Sequence, residues 1–171
     1  MRRFAWFVIA IVALMFLTIM IATTVKPITR YQTHRAATMY YGYLATGEFE
    51  KAFEYVAYYD RYSDLEPEVP YEDAQRIWVS RVNEMRENGL YLAEAERIQV
   101  LIDDGYPIGK AYVTIVDNGM KQSMTQDVHF VRLFGKWRVQ GVKSAYDELT
   151  KSIAILDEAI SGHIPQDYEE P

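Results

Sequence analysis

One pair of residues in the sequence has the side chains that general acid-base catalysis uses. Asp127 and His129 stand two positions apart in a β-rich segment, so both are expected on one face of a strand, together with Val131 and Leu133. A carboxylate beside an imidazole can act as a general base if that face lines an internal cavity. The alternative is a solvated histidine near a sheet edge, and the pattern alone does not decide between the two. Asp127 and His129 are therefore the catalytic candidates of an enzyme hypothesis only.

Other patterns that carry chemistry are missing from the sequence. The chain has no Cys, which excludes a thiol nucleophile and disulfides, and its three histidines, His34, His129 and His163, do not have metal-ligand spacing. There is no Gly-rich phosphate loop after a strand and no nucleophile elbow. We therefore predict no metal and no cofactor, and we favour a non-enzymatic function.

Tyrosine is the unusual residue of this chain. Seven of the 14 tyrosines fall within residues 40–62, in the first two predicted helices and the connector behind them. We expect Tyr40 and Tyr43 to line a cavity wall beside Trp78, and others, such as Tyr58 and Tyr59, to reach the surface, where Tyr favours partner interfaces. These five are the predicted ligand-binding or partner-binding residues, and a protein interface on this helical surface is the leading functional hypothesis. The alternative is an ordinary core with half-exposed rings.

The N-terminal region contains a long apolar run at residues 4–25 without a charged residue. As a helix these positions extend roughly 33 Å, which is enough to cross a hydrocarbon core of about 30 Å. The alternative is a cleaved signal peptide, whose apolar region usually has about 7 to 15 residues. Because the best cleavage site, Ala22-Thr23-Thr24, is poor, we predict an uncleaved transmembrane anchor.

The charges that flank this run favour one orientation. Arg2 and Arg3 precede it, and Lys26, Arg30 and Arg35 follow it, so the counts of basic residues nearly tie. We place residues 1–3 in the cytoplasm because their charges adjoin the bilayer directly. The protein is then a single-pass protein, expected in a bacterial cell membrane, with its domain outside the cytoplasm.

Charge separates the root of the domain from the rest. Residues 1–35 hold five of the 18 basic residues and none of the 24 acidic ones, so residues 36–171 carry a net charge of −11. Such a surface repels phosphate backbones, and nucleic-acid binding is excluded as a function class. In the basic segment 26–35, the cations and Tyr31 are expected to hold the root of the domain at the headgroup level.

The remaining pattern predicts three helices, four strands and one helix. Pro27 suits a helix start or a bend, and Thr46-Gly47 ends this first helix. A second helix is expected from Glu48 to near Asp60 and, after the connector 61–70, a third from Tyr71 to Asn88-Gly89.

Turn pairs at Asp104-Gly105, Asn118-Gly119 and Gly135-Lys136 divide residues 91–143 into an antiparallel meander of four strands. Ser144 with Asp147 resembles a capping box and predicts a last helix that ends at Gly162. Its apolar stripe is Tyr146, Leu149, Ile153, Leu156 and Ile160. These elements indicate one α+β domain over 36–162, followed by a disordered acidic tail at 163–171.

Two stretches resemble the nuclear transport factor 2-like superfamily: YYGYLATGEFEKAFEYV at residues 40–56 and HFVRLFGKWRVQGV at residues 129–142. The resemblance implies a cone-shaped fold in which a curved antiparallel sheet packs on three helices. An extra C-terminal helix departs from a minimal member, and the short strand usual between the second and third helices is not apparent at 61–70. Members of the superfamily include isomerases, dehydratases, transport adaptors and membrane-anchored extracytoplasmic modules, so the resemblance implies a fold more than an activity.

The sequence therefore predicts a membrane-anchored, extracytoplasmic, non-enzymatic binding or assembly module of the cell envelope. Its partners are the membrane, through residues 4–25, and another envelope or membrane protein. The alternative is a small apolar-ligand binder, or an isomerase or dehydratase, that uses the cone cavity. An enclosed cavity with Asp127 or His129 pointing into it favours the alternative, whereas a filled cone with exposed tyrosines favours the module.

Overall fold

The structure, a computed structural model, describes residues 2–60, 67–145 and 151–165, and within its first helix it describes the side chains of residues 11–16 and those from 27 onward. Three predictions lie outside the described residues: most of the connector 61–70, the first turn of the last helix with Tyr146, Asp147 and Leu149, and most of the tail 163–171.

Helix α1 (Arg2–Thr46) is continuous, and Pro27 lies inside it. The predicted helix start at Pro27 is therefore wrong, because a proline removes one backbone hydrogen bond and the strong helix formers on both sides continue the helix through it. Within the residues whose side chains are described, no helix has the length and apolar character needed to span a membrane. Most of the predicted span 4–25 lies outside those residues.

The end of α1 is where the sequence placed it. Gly47 has a φ of +79°, and the Glu48 N–H donates to the Tyr43 carbonyl at 2.9 Å, which is the six-to-one bond of a Schellman ending.

Helix α2 (Phe49–Phe53) is much shorter than predicted. The expected continuation to Asp60 is wrong because the backbone from Tyr55 onward pairs with other strands instead. The Val139 N–H donates to the Tyr55 carbonyl at 2.8 Å, and the Ala57 N–H donates to the Val139 carbonyl at 2.7 Å. This parallel pairing gives the domain a short extended segment between α2 and the next helix, earlier in the chain than the connector 61–70.

Helix α3 (Tyr71–Glu87) ends at Asn88 and Gly89, as predicted. It leads into a four-stranded antiparallel sheet with the order β1-β2-β3-β4. Its strands are β1 (Leu90–Asp103), β2 (Tyr106–Asp117), β3 (Met120–Leu133) and β4 (Lys136–Ser144). The predicted α+β class with an antiparallel meander is confirmed.

The three turns of the meander all contain a residue pair with positive φ. Asp104-Gly105 and Asn118-Gly119 turn where predicted. The third turn is Phe134-Gly135, with φ values of +49° and +77°, and not Gly135-Lys136. Lys136 is therefore the first residue of β4, and the strand begins one residue earlier than expected.

Helix α4 (Lys151–Ile160) packs on β4. Ser144 ends β4 and is buried, and the helix start that it was predicted to cap with Asp147 lies outside the described residues. Gly162, the predicted end of the helix, meets the chain that follows α2: a Cβ there would lie 2.1 Å from the Ala57 carbonyl oxygen. The core lies between the helices and one face of the sheet, with Tyr40, Tyr41, Phe53, Trp78 and Leu156 among its largest buried side chains.

Candidate functional site

Asp127 and His129 do not face the interior of the domain. Met124, Gln126 and Val128 are the buried positions of this part of β3, so the odd-numbered side chains between them lie on the other face. The register of β3 shifts between His129 and Phe130, which breaks the alternation with Val131 and Leu133 that the sequence suggested. The Asp127 carboxylate lies 3.6 Å from Lys110 Nζ on the half-exposed outer face.

His129 instead borders a shallow surface groove of about 520 Å³ whose lining also contains Lys143, Glu158 and His163. Within the described residues, no group of three or more Asp, Glu and His side chains could hold a metal ion.

The predicted cavity wall is a filled core. Trp78 and Tyr40 are completely buried, and both donate hydrogen bonds to backbone carbonyls at the end of α4. The Tyr40 hydroxyl donates to the Ile160 carbonyl at 2.6 Å, and Trp78 Nε1 donates to the Ser161 carbonyl at 3.0 Å. Two small pockets bounded by described residues measure about 20 and 10 Å³, too small for an apolar ligand.

The other predicted binding residues divide between core and margin. Tyr58 and Tyr59 are buried, contrary to the surface position expected of them, because the extended segment that carries them lies between β4 and the residues after α4. Tyr43 is half-buried, with its ring centre 6.1 Å from that of Tyr55. These residues therefore do not form one exposed tyrosine surface.

The interior contains a polar cluster around Asp157, which lies on α4 and is almost fully buried. The Ser144 N–H donates to Asp157 Oδ2 at 2.6 Å, and the Ser144 hydroxyl donates to Oδ1 at 3.0 Å. Gln126 Nε2 donates to Oδ1 at 2.7 Å, and the Tyr41 hydroxyl donates to Gln126 Oε1 at 3.0 Å. The cluster thus ties α4 to β3, β4 and α1.

Burial controls the protonation of this Asp157 cluster. It raises the pKa of Asp157, and the hydrogen bonds from Ser144 and Gln126 oppose that shift. Burial also raises the pKa of Tyr40 and Tyr41 well above the ordinary value, and the Asp157 charge adds to this effect. Both phenols stay protonated at neutral pH and donate hydrogen bonds. Asp157 also borders the surface groove of about 520 Å³ beside His129. Its hydrogen bonds hold α4 to the sheet.

An open concavity bounded by described residues lies at the root of the domain. We call it the root groove. It has a volume of about 670 Å³ and lies between α1, the chain after α2 and the turn that joins β3 to β4. Its lining is Pro27, Ile28, Tyr31, Gln32, Arg35, Ala36, Glu54, Tyr55, Gly135, Lys136, Trp137 and Arg138.

Helical spacing explains which α1 residues line the root groove. Ile28, Tyr31, Gln32 and Arg35 follow the i, i+3, i+4, i+7 spacing that places side chains on one face of a helix. Arg30 does not line the groove, although it belongs to the same basic segment. The opposite wall is the start of β4, which the Phe134-Gly135 turn directs toward α1.

Positive charge dominates this lining. Arg35 and Lys136 are exposed cations, and Glu54 is the single carboxylate among the lining residues. Arg138 is half-buried: its Nη1 donates to the Val56 carbonyl at 3.3 Å, and its buried Nε has no hydrogen-bond partner. No described carboxylate forms an ion pair with this guanidinium. The arrangement can hold an anion whose remaining surface is apolar.

The sequence identified only one wall of the root groove. Tyr31 and Arg35 were assigned to the headgroup level, whereas Tyr55, Trp137 and Arg138 were not predicted as binding residues. The pattern KWRV indicated a strand. No local pattern indicates that the start of this strand lies beside α1, about a hundred residues earlier in the sequence.

Comparison with known proteins adds no relative. No family model matches the chain, and no match is found among curated proteins or solved structures. Function is therefore inferred from the groove and the interior themselves.

Proposed function

We propose that this chain is a membrane-anchored, non-enzymatic binding or assembly module of the cell envelope, and that the root groove is its binding surface. The observation that carries the proposal is the contrast in filling: the predicted cavity wall at Tyr40 and Trp78 is packed, whereas the root groove is open, amphipathic and positively charged.

The anchor in this proposal is the apolar run 4–25. Support comes from its length, from the absence of charge within it and from the continuity of α1 through Pro27, which joins the run to the domain without a linker. The basic residues Arg2 and Arg3 adjoin the bilayer directly, which favours a cytoplasmic N-terminus and a domain outside the cytoplasm of a bacterial cell. Helix α1 carries the root groove on residues that begin immediately after the run.

The fold proposed for residues 36–162 is the cone of the nuclear transport factor 2-like superfamily, with an added C-terminal helix. Its support is the order of the elements, the four-stranded meander and the short extended segment between α2 and α3. The alternative, a ligand-binding or isomerase-type enzyme that uses the cone cavity, has less support, because the interior bounded by described residues is filled.

Photocrosslinking in native membranes tests the proposed binding surface. A photoreactive residue in place of Tyr55 lies in the root groove, and one in place of Tyr112 lies on the outer face of the sheet as a matched control. We expect adducts from position 55 in clear excess over position 112. Equal labelling of the two positions, or adducts from position 112 alone, would contradict the proposal.

The anchor is tested separately. The full-length chain should stay with the membrane after alkaline carbonate extraction, and a reporter that is active only in the cytoplasm, fused after Pro171, should be inactive. Release of the chain into the supernatant would contradict the predicted anchor, and an active reporter would contradict the predicted orientation.

A further inference from the structure

We infer that the ligand of the root groove is an anionic phospholipid of the same bilayer that holds α1. This inference rests on the proposed function and deepens it, because it names the chemical class of the ligand.

Position along α1 is the first argument. Ile28 follows the last residue of the apolar run by three positions and Arg35 by ten, which correspond to about 5 Å and about 15 Å along a helix. The headgroup layer on each side of a bilayer is roughly 5 to 8 Å thick. The lower end of the root groove therefore lies within the headgroup layer, and its upper end, at Arg35, lies about 7 to 10 Å beyond it.

The distribution of side chains within the groove matches an amphiphile. Near the bilayer, Ile28 is 55% exposed and Tyr31 is 67% exposed, which is a large apolar area for a surface in water. Trp137 stands on the opposite wall, and Tyr and Trp are the residues that favour the membrane interface. The upper end carries Arg35. Acyl carbons and glycerol fit the lower part, and a phosphate fits the cationic part.

Arg138 is the second argument. Its guanidinium is partly desolvated and is held at one nitrogen by the Val56 carbonyl, and no described carboxylate forms an ion pair with it. A half-buried charge without a counter-charge is costly, so an anion in the groove stabilises it. Arginine also matches the geometry of phosphate oxygens better than other cations do.

Charge balance supports a single phosphate group. Arg35, Lys136 and Arg138 oppose only Glu54 in the lining, whereas residues 36–171 as a whole carry a net charge of −11. An anionic bilayer repels the acidic bulk of the domain. The root groove is therefore the surface of the domain that can face such a bilayer.

Native mass spectrometry of the full-length chain tests the inference. The protein is extracted in mild detergent and offered equal amounts of phosphatidylglycerol and phosphatidylcholine, and the bound lipid of each type is counted. The test variant combines Arg35→Gln, Lys136→Gln and Arg138→Met. The control variant combines Arg97→Gln, Lys121→Gln and Lys143→Gln, which removes the same number of cations outside the root groove.

We expect the wild type and the control variant to retain phosphatidylglycerol selectively, and the groove variant to lose at least about tenfold in affinity for it. Equal retention of the two lipids, or an unchanged affinity in the groove variant, would overturn the inference. Crosslinking at position 55 separates this failure from failure of the proposed function. If it captures a protein and no lipid, the groove still binds a partner but the lipid assignment is wrong.

Discussion

Asp157, which is buried, and Arg138, which is half-buried, are charged groups that differ in how completely they are hydrogen-bonded. Asp157 receives three hydrogen bonds, from the Ser144 N–H, the Ser144 hydroxyl and Gln126, all within 3.0 Å. Arg138 makes one bond of 3.3 Å to a backbone carbonyl and leaves its Nε without a partner. A fully paired buried charge holds elements together, whereas an incompletely paired charge beside an open groove is available to a ligand.

The surroundings of the two groups differ in what they connect. The Asp157 cluster joins α4 to β3, β4 and α1, and Asp157 also borders the surface groove of about 520 Å³. Arg138 stands at the rim of a concavity of about 670 Å³. The comparison predicts that substitutions near Asp157 change stability, and that substitutions in the root groove change binding.

Removal of the Asp157 carboxylate should have the largest effect. Asp157→Ala leaves the donors of Ser144 and Gln126 unpaired in the core, so we expect a loss of about 3 kcal/mol in the free energy of unfolding. Denaturant unfolding of the full-length chain in detergent, followed by circular dichroism, measures it. Asp127→Ala, on the outer face of the sheet, is the control and should change stability by less than about 0.5 kcal/mol. Similar losses for both variants would refute a special role of the cluster.

Arg81 should come next. Its guanidinium donates to three carbonyls after and within the last turn of α4, those of Ala159, Ser161 and His163, at 2.8 to 3.0 Å. Arg81→Met keeps the apolar stem and removes these bonds, so we expect a loss of about 2 kcal/mol in the same unfolding experiment. Arg76→Met is the matched control, since Arg76 is an exposed residue of the same helix that pairs with Asp73. A loss no larger than that of the control would show that the α4 end is held by other contacts.

The pH dependence of stability reports on Asp157 directly. Burial raises the pKa of this carboxyl in the folded state, so the folded protein holds the proton more tightly than the unfolded chain does. Its stabilising contribution is present below the ordinary Asp pKa of about 3.9 and is lost as the pH rises through the raised folded-state value. A pKa that is higher by one in the folded state than in the unfolded chain corresponds to about 1.4 kcal/mol of stability.

Asp157→Asn isolates this effect, because the amide does not titrate. The stability of the wild type relative to Asp157→Asn should increase as the pH falls from 7 toward 4, measured by thermal unfolding at each pH. A difference that is constant with pH, or that shrinks toward acid, would mean that the pKa is not raised.

Arg138→Met should have the smallest effect on stability. It exchanges a half-buried, poorly paired charge for an apolar side chain of similar length, and such exchanges are often neutral or stabilising by about 1 kcal/mol. The measurement is the same unfolding experiment in detergent without added phospholipid. A loss of about 2 kcal/mol or more would place Arg138 with Asp157 as a structural group and would end the contrast between them.

The elements of the fold that the sequence predicted are those with strong local signals. The Asp104-Gly105 and Asn118-Gly119 turns, the end of α1 at Gly47 and the whole of α3 are dictated by residues that are neighbours in sequence. The errors are tertiary. The chain after Phe53 has a helical pattern, but its backbone pairs with the free edge of β4. The register shift after His129, where β3 meets β4, places Asp127 and Leu133 on opposite faces of the sheet.

The sequence predicted one of the two walls of the root groove. Ile28, Tyr31 and Arg35 belong to the segment after an apolar run, where aromatic and basic residues favour the headgroup layer. Lys136, Trp137 and Arg138 join them only through the folded sheet. The tyrosine-rich region was predicted to bind a ligand or partner, but the Tyr40 hydroxyl donates a hydrogen bond inside the core to a carbonyl 120 positions away.

The intrinsic fluorescence of two tryptophans tests the division between interior and groove most directly. Of the chain's three tryptophans, Trp6 lies in the apolar run, Trp78 is 0% exposed in the core, and Trp137 lines the root groove. In a Trp6→Phe background, the full-length protein is reconstituted into vesicles whose anionic phospholipid carries a nitroxide quencher on its headgroup. We predict that the Trp137 share of the emission, defined by the further variant Trp137→Phe, is quenched and that the Trp78 share persists. Unquenched Trp137, or equal quenching of both tryptophans, would contradict a lipid-binding root groove beside a closed core.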